Sequence, residues 1–429
     1  MSRRVGILVL LVAMFAAMLA ASSISSAATP YYVDCTGGND ANNGTSPSTA
    51  WKSLAKADSL VLDANKQLLF KMGCTWSGSI SLDGTGGFVG AYGSGNMPVI
   101  QNNSGTGYVF RLKGSNLTVD NLYAKVTMPT VSSRCQNQPK GDTKAFLFAP
   151  DSTRNVVQNS KATGAWAAVF INDTSSFNRV HHNTFRDNNA MLPNDGASST
   201  DDAGAFGVLA RGTDNEIDHN TFSGQKACSV DYGSDGSAVE IYNGQRNRTH
   251  HNISIESNVF TEVAGKDRRA RDNTYRYNLV YSRSGKAHGV LVHGNTLYAI
   301  PTIGTVVQNN TFYLTSPISM GVNCFKCGTK KRLTMKNNIM WVTDRPFIGD
   351  AAGVTEDYNM WNKQPGTLTI GVHSKIANPL FVSPSTNDFH PQSTSPAIDA
   401  GTYLGGGTDL DGNPVPQGVA TDMGAYETR

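Results

Sequence analysis

"AAVFINDTSSFNRVHHNTFRDN" (residues 167–188) is the first of three successive segments built on one plan. The second is "AFGVLARGTDNEIDHNTFSGQ" (205–225), and the third is "AVEIYNGQRNRTHHNISIESN" (238–258). Each begins with a short apolar strand, continues through a polar turn, and ends on His-Asn followed by Thr or Ile. A unit this small cannot bury its own apolar face, so it must stack on a copy of itself. The repeat therefore predicts a solenoid of β-strands.

Asparagine ends the other copies of the repeat as well. Strands that recur every ~20 to 40 residues, with no helical period between them, are typical of a parallel β-helix. We expect the asparagine amides to stack at one corner, where they bond from coil to coil and tolerate left-handed turns. The His-Asn pairs then belong to the repeat and are not metal ligands. The closing asparagines are Asn159, Asn183, Asn220, Asn252, Asn278, Asn310 and Asn338.

The composition excludes one class of partner, and the N-terminus predicts export. Charged residues are 16% of the 429, the net charge is +3, and Lys and Arg form no long run, which argues against nucleic-acid binding. Residues 1–28 read as a signal peptide: two arginines precede an apolar run, and Ser26 and Ala28 stand at −3 and −1 before Thr29. A membrane anchor is the alternative, but the run is short for a ~20-residue span. We expect a secreted protein, extracellular or periplasmic, with no membrane association after cleavage.

The six cysteines fit an oxidising compartment. Cys324 and Cys327 form "CFKC", and no second pair has the spacing that a zinc site requires. The sequence therefore predicts a local disulfide within this motif. The remaining pairing stays open among four cysteines, namely Cys35, Cys74, Cys135 and Cys228.

The two ends of the mature chain differ from the repeat. We assign residues 29–79 to an N-terminal cap with the first strands, 80–345 to the coils, and 346–429 to an irregular C-terminal capping region. The opening "GGNDANNGTSPSTAW", the Asn-ended coils and the tail "SPAIDAG…DMGAYE" resemble secreted right-handed parallel β-helix proteins of the pectate-lyase-like superfamily. The resemblance covers nearly the whole mature chain.

This resemblance implies an all-β, right-handed parallel β-helix across which a long carbohydrate lies. The superfamily includes polysaccharide lyases, glycoside hydrolases and epimerases, and the catalytic set of the polygalacturonases is absent as a set. The resemblance therefore implies a polysaccharide partner, neutral or anionic, without choosing the reaction. We expect the protein to be a monomer.

Two glutamates stand out in the register of the coils. The strand "AVEIY" alternates, with Val239 and Ile241 on one face and Glu240 on the other, and Glu262 follows Glu240 by 22 residues, one tight coil. In that register the two glutamates point outward from adjacent strands about 4.8 Å apart. Like charges that stack directly repel each other. Folding alone would not select this pair, so we interpret it as catalytic.

Other charged and aromatic residues align beside the glutamates. The same register places Arg211, Tyr242 and His293 in a neighbouring outward column, where Tyr242 can stack on a sugar ring and Arg211 can hold an anionic substituent. The basic insertion "GKDRRARDN" (265–273) would attract an anionic glycan, or is an ordinary solvated loop.

The loops that enter these strands supply further acids and a lysine, all from one edge of the solenoid. Such aspartates can instead cap turns, as Asp often does before Gly. We predict that Asp202 and Asp235 are catalytic together with Glu240 and Glu262. The predicted substrate-binding residues are Arg211, Tyr242, His293, Lys286, Asp201 and Asp231.

Crowded carboxylates in a sugar groove admit two reactions. In a glycoside hydrolase, one protonated carboxyl donates to the glycosidic oxygen while another activates water or attacks the anomeric carbon, and no cofactor is required. In a uronate lyase, Ca²⁺ held by Asp202, Asp235, Glu240 and Glu262 neutralises the substrate carboxylate, while Lys286 or another base removes a proton. We predict the hydrolase, because no base is placed as specifically as the glutamate pair. A glycan-binding β-helix without catalysis is the third alternative.

Overall fold

The computed structural model describes residues 28–131, 135, 138–193, 200–296 and 299–429. Its frame consists of three long parallel sheets that wrap around one apolar core, so the predicted right-handed parallel β-helix is confirmed. In each coil the chain passes from a strand of sheet B to one of sheet A and then to one of sheet C. The predicted signal peptide lies outside the described residues, apart from Ala28.

Each complete coil contributes one strand to each sheet, in chain order; an additional first strand belongs to sheet A and an additional last strand to sheet C. The twelve strands of sheet A are Thr29–Val33, Lys66–Lys71, Phe88–Tyr92, Thr118–Asp120, Val156–Gln158, Arg179–His181, Glu216–Asp218, Arg248–His250, Thr274–Arg276, Thr305–Gln308, Leu333–Lys336 and Val354–Asp357. The eleven strands of sheet B are Leu62–Asp63, Ile80–Thr85, Tyr108–Ser115, Lys144–Phe148, Ala167–Ile171, Phe206–Ala210, Ser237–Tyr242, Val259–Ala264, Lys286–His293, Ile318–Phe325 and Arg345–Gly349. The twelve strands of sheet C are Thr75–Ser77, Val99–Asn102, Tyr123–Val126, Lys161–Thr163, Thr184–Arg186, Thr221–Ser223, Ile253–Ile255, Leu279–Ser282, Thr311–Leu314, Ile339–Val342, Met360–Trp361 and Lys375–Ile376.

The remaining elements are short. Three two-stranded antiparallel ladders pair Thr130–Val131 with Gln138–Pro139, Ala227–Ser229 with Gly233–Asp235, and Phe381–Ser383 with Asp388–Pro391. The α-helix is Leu54–Asp58, and the 3₁₀ turns are Pro47–Thr49, Ala351–Gly353 and Pro384–Thr386. No helix in the described part of the chain is long and apolar enough to span a membrane.

The predicted asparagine stack lies at the corner between sheets A and C. Asn220 is buried; its Oδ1 accepts from the backbone and side-chain N–H groups of Asn183, and its amide donates to Asn252 Oδ1 at 3.0 Å. The left-handed residue is the one before each asparagine, as at His219 (φ 54°). Asn159 takes this outer position instead, and Ser160 replaces it in the stack. The same contacts continue through Asn252, Asn278, Asn310, Asn338 and Asn359.

A second buried asparagine stack, at the corner between sheets B and A, was missed by the sequence analysis. It runs through Asn155, Asn178, Asn215, Asn247 and Asn273, each bonded to the next coil. The two stacks satisfy backbone groups that the turns leave without partners inside the core. They therefore hold successive coils in one register, which positions the outward side chains of sheet B.

Disulfides and the C-terminal region complete the frame. The predicted bond within the "CFKC" motif is confirmed, and the other pairs are Cys35–Cys74 and Cys135–Cys228. The parallel strands extend from Thr29 to Ile376, beyond both ends of the predicted coil region. The C-terminal region then packs along the outer side of sheet C, where Phe389 contacts the Tyr281 ring at 5.2 Å.

Candidate active site

Glu240 and Glu262 are direct register partners on adjacent parallel strands of sheet B. Val239 and Val263 on these strands are fully buried in the core, while both glutamate side chains are half-buried on the outer face. Ser237 Oγ donates to Glu240 Oε2 at 3.2 Å. The alternation and the 22-residue register inferred from the sequence thus place the two carboxyl groups on neighbouring coils of one face.

The imidazole of His293 contacts the carboxyl group of Glu262. Its Nε2 lies 2.7 Å from Glu262 Oε1, and the two side chains are 19% and 24% exposed. The strand register continues from Val292 to His293, in the predicted column of Tyr242, and the side chain also contacts the neighbouring Glu262. Its part in substrate binding stays a prediction.

The loops before sheet B bring Asp202 and Asp231 together. Asp202 is 5% exposed, and its Oδ2 accepts from Ser229 Oγ at 2.7 Å and from the backbone N–H of Asp231 at 3.0 Å. In return, Asp231 Oδ2 accepts from the backbone N–H groups of Asp201 and Asp202. These reciprocal bonds join two loops that are about 30 residues apart in the sequence, and the Cys135–Cys228 disulfide anchors the second loop.

Asp235 and Lys286 lie beside the glutamate pair. Burial raises the pKa of Asp235 to about 7, and the negative charges of Glu262 and Asp202 add to the effect. The positive charge of Lys286 acts against this rise, and Lys286 Nζ donates to the Ser234 carbonyl at 3.2 Å. The structure therefore brings the four predicted catalytic carboxyl groups within electrostatic reach of one another.

The two glutamates have different surroundings. Burial raises the pKa of Glu240 well above its usual range, and the charges of Glu262 and Asp235 raise it further. Glu240 has only the Ser237 hydroxyl as a hydrogen-bond donor among the described residues, whereas Glu262 has the imidazole of His293. Burial and the neighbouring acids thus favour a protonated Glu240.

Arg211 and Tyr242 occupy the outward column as the register predicted, but Arg211 already has partners. Its guanidinium lies 2.9 Å from Asp173 Oδ2 and 3.6 Å from Asp267 Oδ2, and 5.7 Å from the ring centre of Tyr242. Tyr242 is half-buried, with its ring beside the glutamate pair. The ring is therefore the part of this column that remains available for stacking on a sugar.

His288 was not among the predicted site residues. It lies on the outer face in the column of Ser237, and burial together with the charges of Lys286 and Arg345 lowers its pKa to about 4. The imidazole is therefore neutral above that pH. His288 and His293 are an odd number of residues apart, so strict strand alternation would have placed them on opposite faces, and the sequence pattern gave no signal for His288.

The acidic loops also fit a divalent cation. Carboxylate oxygens of Asp201, Asp202 and Asp231 lie within 4.8 Å of one another. Asp202 Oδ1 is buried and has no hydrogen-bond partner, which an oxygen-loving ion such as Ca²⁺ would supply. Of the predicted calcium ligands, the structure groups Asp202 with these two loop aspartates. Asp235, at the end of the short ladder before sheet B, and Glu240 and Glu262 on sheet B form the neighbouring set.

No family model and no curated protein sequence matches the chain. Its fold is similar to that of pectate lyase Pel9A, with a TM-score of 0.58, 15% identity, and 94% of this chain and 97% of that chain covered. A rhamnogalacturonan lyase gives a TM-score of 0.54 at 13% identity, covering 83% and 91% of the two chains. A GH136 lacto-N-biosidase from Eubacterium ramulus gives 0.51 at 13% identity, covering 82% of this chain and 65% of that longer chain. At these identities the similarity shows a shared fold.

Proposed function

We propose that this protein is an exported glycoside hydrolase that cleaves a polysaccharide on the outer face of sheet B. The observation that carries the proposal is the direct register of Glu240 with Glu262. Neither glutamate has a Lys or Arg ion-pair partner among the described residues, so the two acids are not compensated by a nearby cation. Repulsion between uncompensated carboxyl groups that lie close together destabilises the folded state. The same repulsion raises the pKa of one of them, which suits a group that transfers protons. The N-terminal sequence and the three disulfides support export.

Glu240 is the general acid in this proposal. A protonated carboxyl group at working pH is what protonation of a glycosidic oxygen requires, and the raised pKa of Glu240 supports it. Asp235, with its pKa near 7, keeps a second proton in the site and limits the negative charge next to Glu240. The neutral His288 adds no positive charge that would ionise these acids.

Glu262 is the nucleophile. Its carboxylate attacks the anomeric carbon, and the contact with His293 Nε2 holds the side chain in place. A covalent intermediate formed on Glu262 and then hydrolysed by water would retain the anomeric configuration.

Aromatic rings beside the carboxyl groups supply the sugar contacts. Tyr232 is 43% exposed, and its hydroxyl donates to the Thr200 carbonyl at 2.6 Å, which holds the ring in place at the acidic loops. Tyr242 flanks the glutamates on the other side. Two fixed rings on either side of a cleavage point suit a chain of sugars laid across the coils.

A calcium-dependent uronate lyase is the second candidate, and the partnerless Asp202 Oδ1 favours it. In that reaction Asp201, Asp202 and Asp231 would hold the ion, which would neutralise a uronate carboxylate. Lys286 lies beside Asp235 and would remove the proton in its neutral form. The lyase also matches the reaction named for two of the proteins with a similar fold.

One paired assay separates these functions. The mature protein is incubated with neutral and acidic glycans, with and without EDTA, and both new reducing ends and the ultraviolet absorbance of unsaturated products are followed. We expect new reducing ends that persist in EDTA, without unsaturated product. Unsaturated product that disappears in EDTA would establish the lyase, and binding without any new ends would establish the non-catalytic alternative.

A further inference from the structure

A cavity of about 280 Å³ opens at the corner between sheets B and A, outside the carboxylate site. It spans three successive coils, because its lining residues follow the sheet B strands Val259–Ala264, Lys286–His293 and Ile318–Phe325. Three coils extend over about 10 Å along the solenoid axis. The lining residues are Arg269, Pro301, Ile303, Lys330, Lys331 and Arg332.

The cavity concentrates positive charge that has no acidic partner. Four of its six lining residues are Lys or Arg, and none of the four forms an ion pair with a described carboxylate. Burial lowers the pKa of Arg332, and the nearby charge of Arg269 lowers it further. Uncompensated like charges around a cavity favour occupation by an anion.

The cationic side chains are held in place by the frame. Arg332 is 8% exposed, and its guanidinium donates to the carbonyls of Cys327 and Thr302 at 2.7 and 2.9 Å. The Cys324–Cys327 disulfide fixes the turn from which the three basic residues 330–332 follow. This gives the "CFKC" motif a role that the carboxylate site does not explain. A fixed cationic cavity loses little conformational entropy when it binds an anion.

The cavity lies near the carboxylate site. The buried Thr302, whose carbonyl accepts from Arg332, donates through both its backbone N–H and its hydroxyl to the carbonyl of His293 at 3.0 Å. His293 in turn contacts Glu262. Arg269 follows the strand that contains Glu262. These contacts place the cavity within a few sugar lengths of the glutamate pair.

We infer that this cavity binds acidic groups, carboxylate or sulfate, of an anionic polysaccharide and holds the chain across the carboxylate site. The inference rests on the proposed function for its choice of a polysaccharide as the source of the anion. The groove carboxylates repel an acidic chain, and the cavity supplies the attraction that offsets this repulsion.

The test uses the mature protein with Glu240→Gln, which blocks cleavage during the measurement. Binding of polygalacturonate (carboxylate), dextran sulfate (sulfate) and dextran (neutral) is measured by titration calorimetry at low and high salt. Lys330→Glu/Lys331→Glu reverses two exposed charges of the cavity, and Lys330→Gln/Lys331→Gln neutralises them as a milder second variant. The matched control is Lys125→Glu/Lys161→Glu, two exposed lysines on adjacent strands of sheet C.

We expect at least one polyanion to bind in a salt-sensitive manner, and the charge reversal at the cavity to weaken that binding at least about tenfold. The sheet C control should change it less than about twofold. Preference for polygalacturonate or for dextran sulfate identifies the anionic group. Absence of polyanion binding, or equal binding by the cavity and control variants, would overturn the inference.

The outcome is separable from that of the proposed function. Glycan cleavage is scored on the parent protein with Glu240 intact. Cleavage without any effect of the cavity variants sinks this inference alone. Polyanion binding that depends on Lys330 and Lys331, without cleavage of any glycan, sinks the hydrolase alone.

Discussion

Two glutamate–histidine pairs, on different sheets of one solenoid, have nearly the same local geometry. Glu262 on sheet B is 24% exposed and lies 2.7 Å from His293, and Glu216 on sheet A is 25% exposed and lies 2.9 Å from His250. Both pairs join neighbouring coils. What differs is the charge around each pair, and this difference decides which carboxylate is available for chemistry.

Cations surround Glu216. Arg248 and Arg179 lie 3.4 and 3.8 Å from its carboxylate oxygens, and Arg179 also forms a two-pronged pair with the buried Asp218. The hydrogen bond from His250 lowers the pKa of Glu216, although burial opposes the effect, and the charge of Arg248 lowers it further. Such an acid is a satisfied structural ion, which is neither protonated at neutral pH nor free to attack.

Acids surround Glu262 instead. Its register partner is Glu240, and its charge raises the pKa of both Glu240 and Asp235. The same Glu–His contact therefore has compensating charges on sheet A and lies beside uncompensated acids on sheet B, which is why the proposed function uses the sheet B pair. Burial and hydrogen bonding are nearly the same for the two glutamate–histidine pairs. The pairs differ in whether nearby cations compensate the charge of the glutamate.

The largest expected effect is on the rate of cleavage. Glu240→Gln and Glu262→Gln should each lower kcat on the order of 10²-fold or more, because each removes a proton donor or a nucleophile. Glu216→Gln is the matched control and should keep nearly full kcat. Rates are measured on protein shown to be folded by circular dichroism. A similar loss in all three variants would erase the distinction between the pairs.

The second effect concerns the frame on which both pairs rest. Asn220→Ala removes hydrogen bonds to Asn183, Asn252 and the Val180 carbonyl, and should lower the free energy of unfolding by about 2 to 4 kcal/mol. Activity per folded molecule should remain, because the change lies inside the core. The control is Asn159→Gly, which alters an exposed asparagine that keeps its left-handed turn. Denaturant unfolding provides the comparison, and a loss of kcat without a loss of stability would contradict it.

The third effect is a pH dependence of stability that comes from Asp235 beside the glutamate pair. The folded-state pKa of Asp235 is raised from 3.8 to about 7. The stability that its bound proton contributes is therefore present below about pH 4 and is lost as the pH rises through about 7. Asp235→Asn removes this titration, so its stability relative to the parent protein should rise by about 3 to 4 kcal/mol between pH 4 and pH 8.

The control for this titration is Asp83→Asn on the same sheet, where the carboxylate pairs with Lys113 at 3.2 Å on the surface. Thermal unfolding is followed from pH 4 to pH 8 in the presence of EDTA, so that metal binding does not contribute. Asp83→Asn should gain no stability at alkaline pH. Parallel curves for Asp235→Asn and the parent protein would remove the physical basis for a protonated site.

The smallest effect separates the two histidines. His293→Ala removes the contact with Glu262, so we expect about a tenfold lower kcat with KM nearly unchanged. His250→Ala should leave kcat nearly unchanged, because Glu216 retains its arginine partners. His293→Gln keeps a side-chain N–H donor and should restore part of the rate. An unchanged kcat in His293→Ala would show that His293 has a structural role only.

The repeat alone predicted much of the frame. A solenoid places each residue next to its equivalent one coil away, so the 22-residue interval between Glu240 and Glu262 was sufficient to predict their stacking. The "CFKC" disulfide was equally local. The buried stack of Asn220 and its equivalents followed from their position at the end of each copy, although Asn159 proved to lie one residue outside it.

Contacts between loops were beyond the sequence. The reciprocal bonds of Asp202 and Asp231 and the pairing of Arg211 with Asp173 depend on loop paths of unequal length between strands. Such paths follow no period in the sequence. The register of the hydrogen-bonded strands, in contrast, follows from the repeat and was determined by the sequence of each coil. Which charges are compensated, and which remain available for chemistry, was decided only by the tertiary structure, because charges act across space between residues that are distant along the chain.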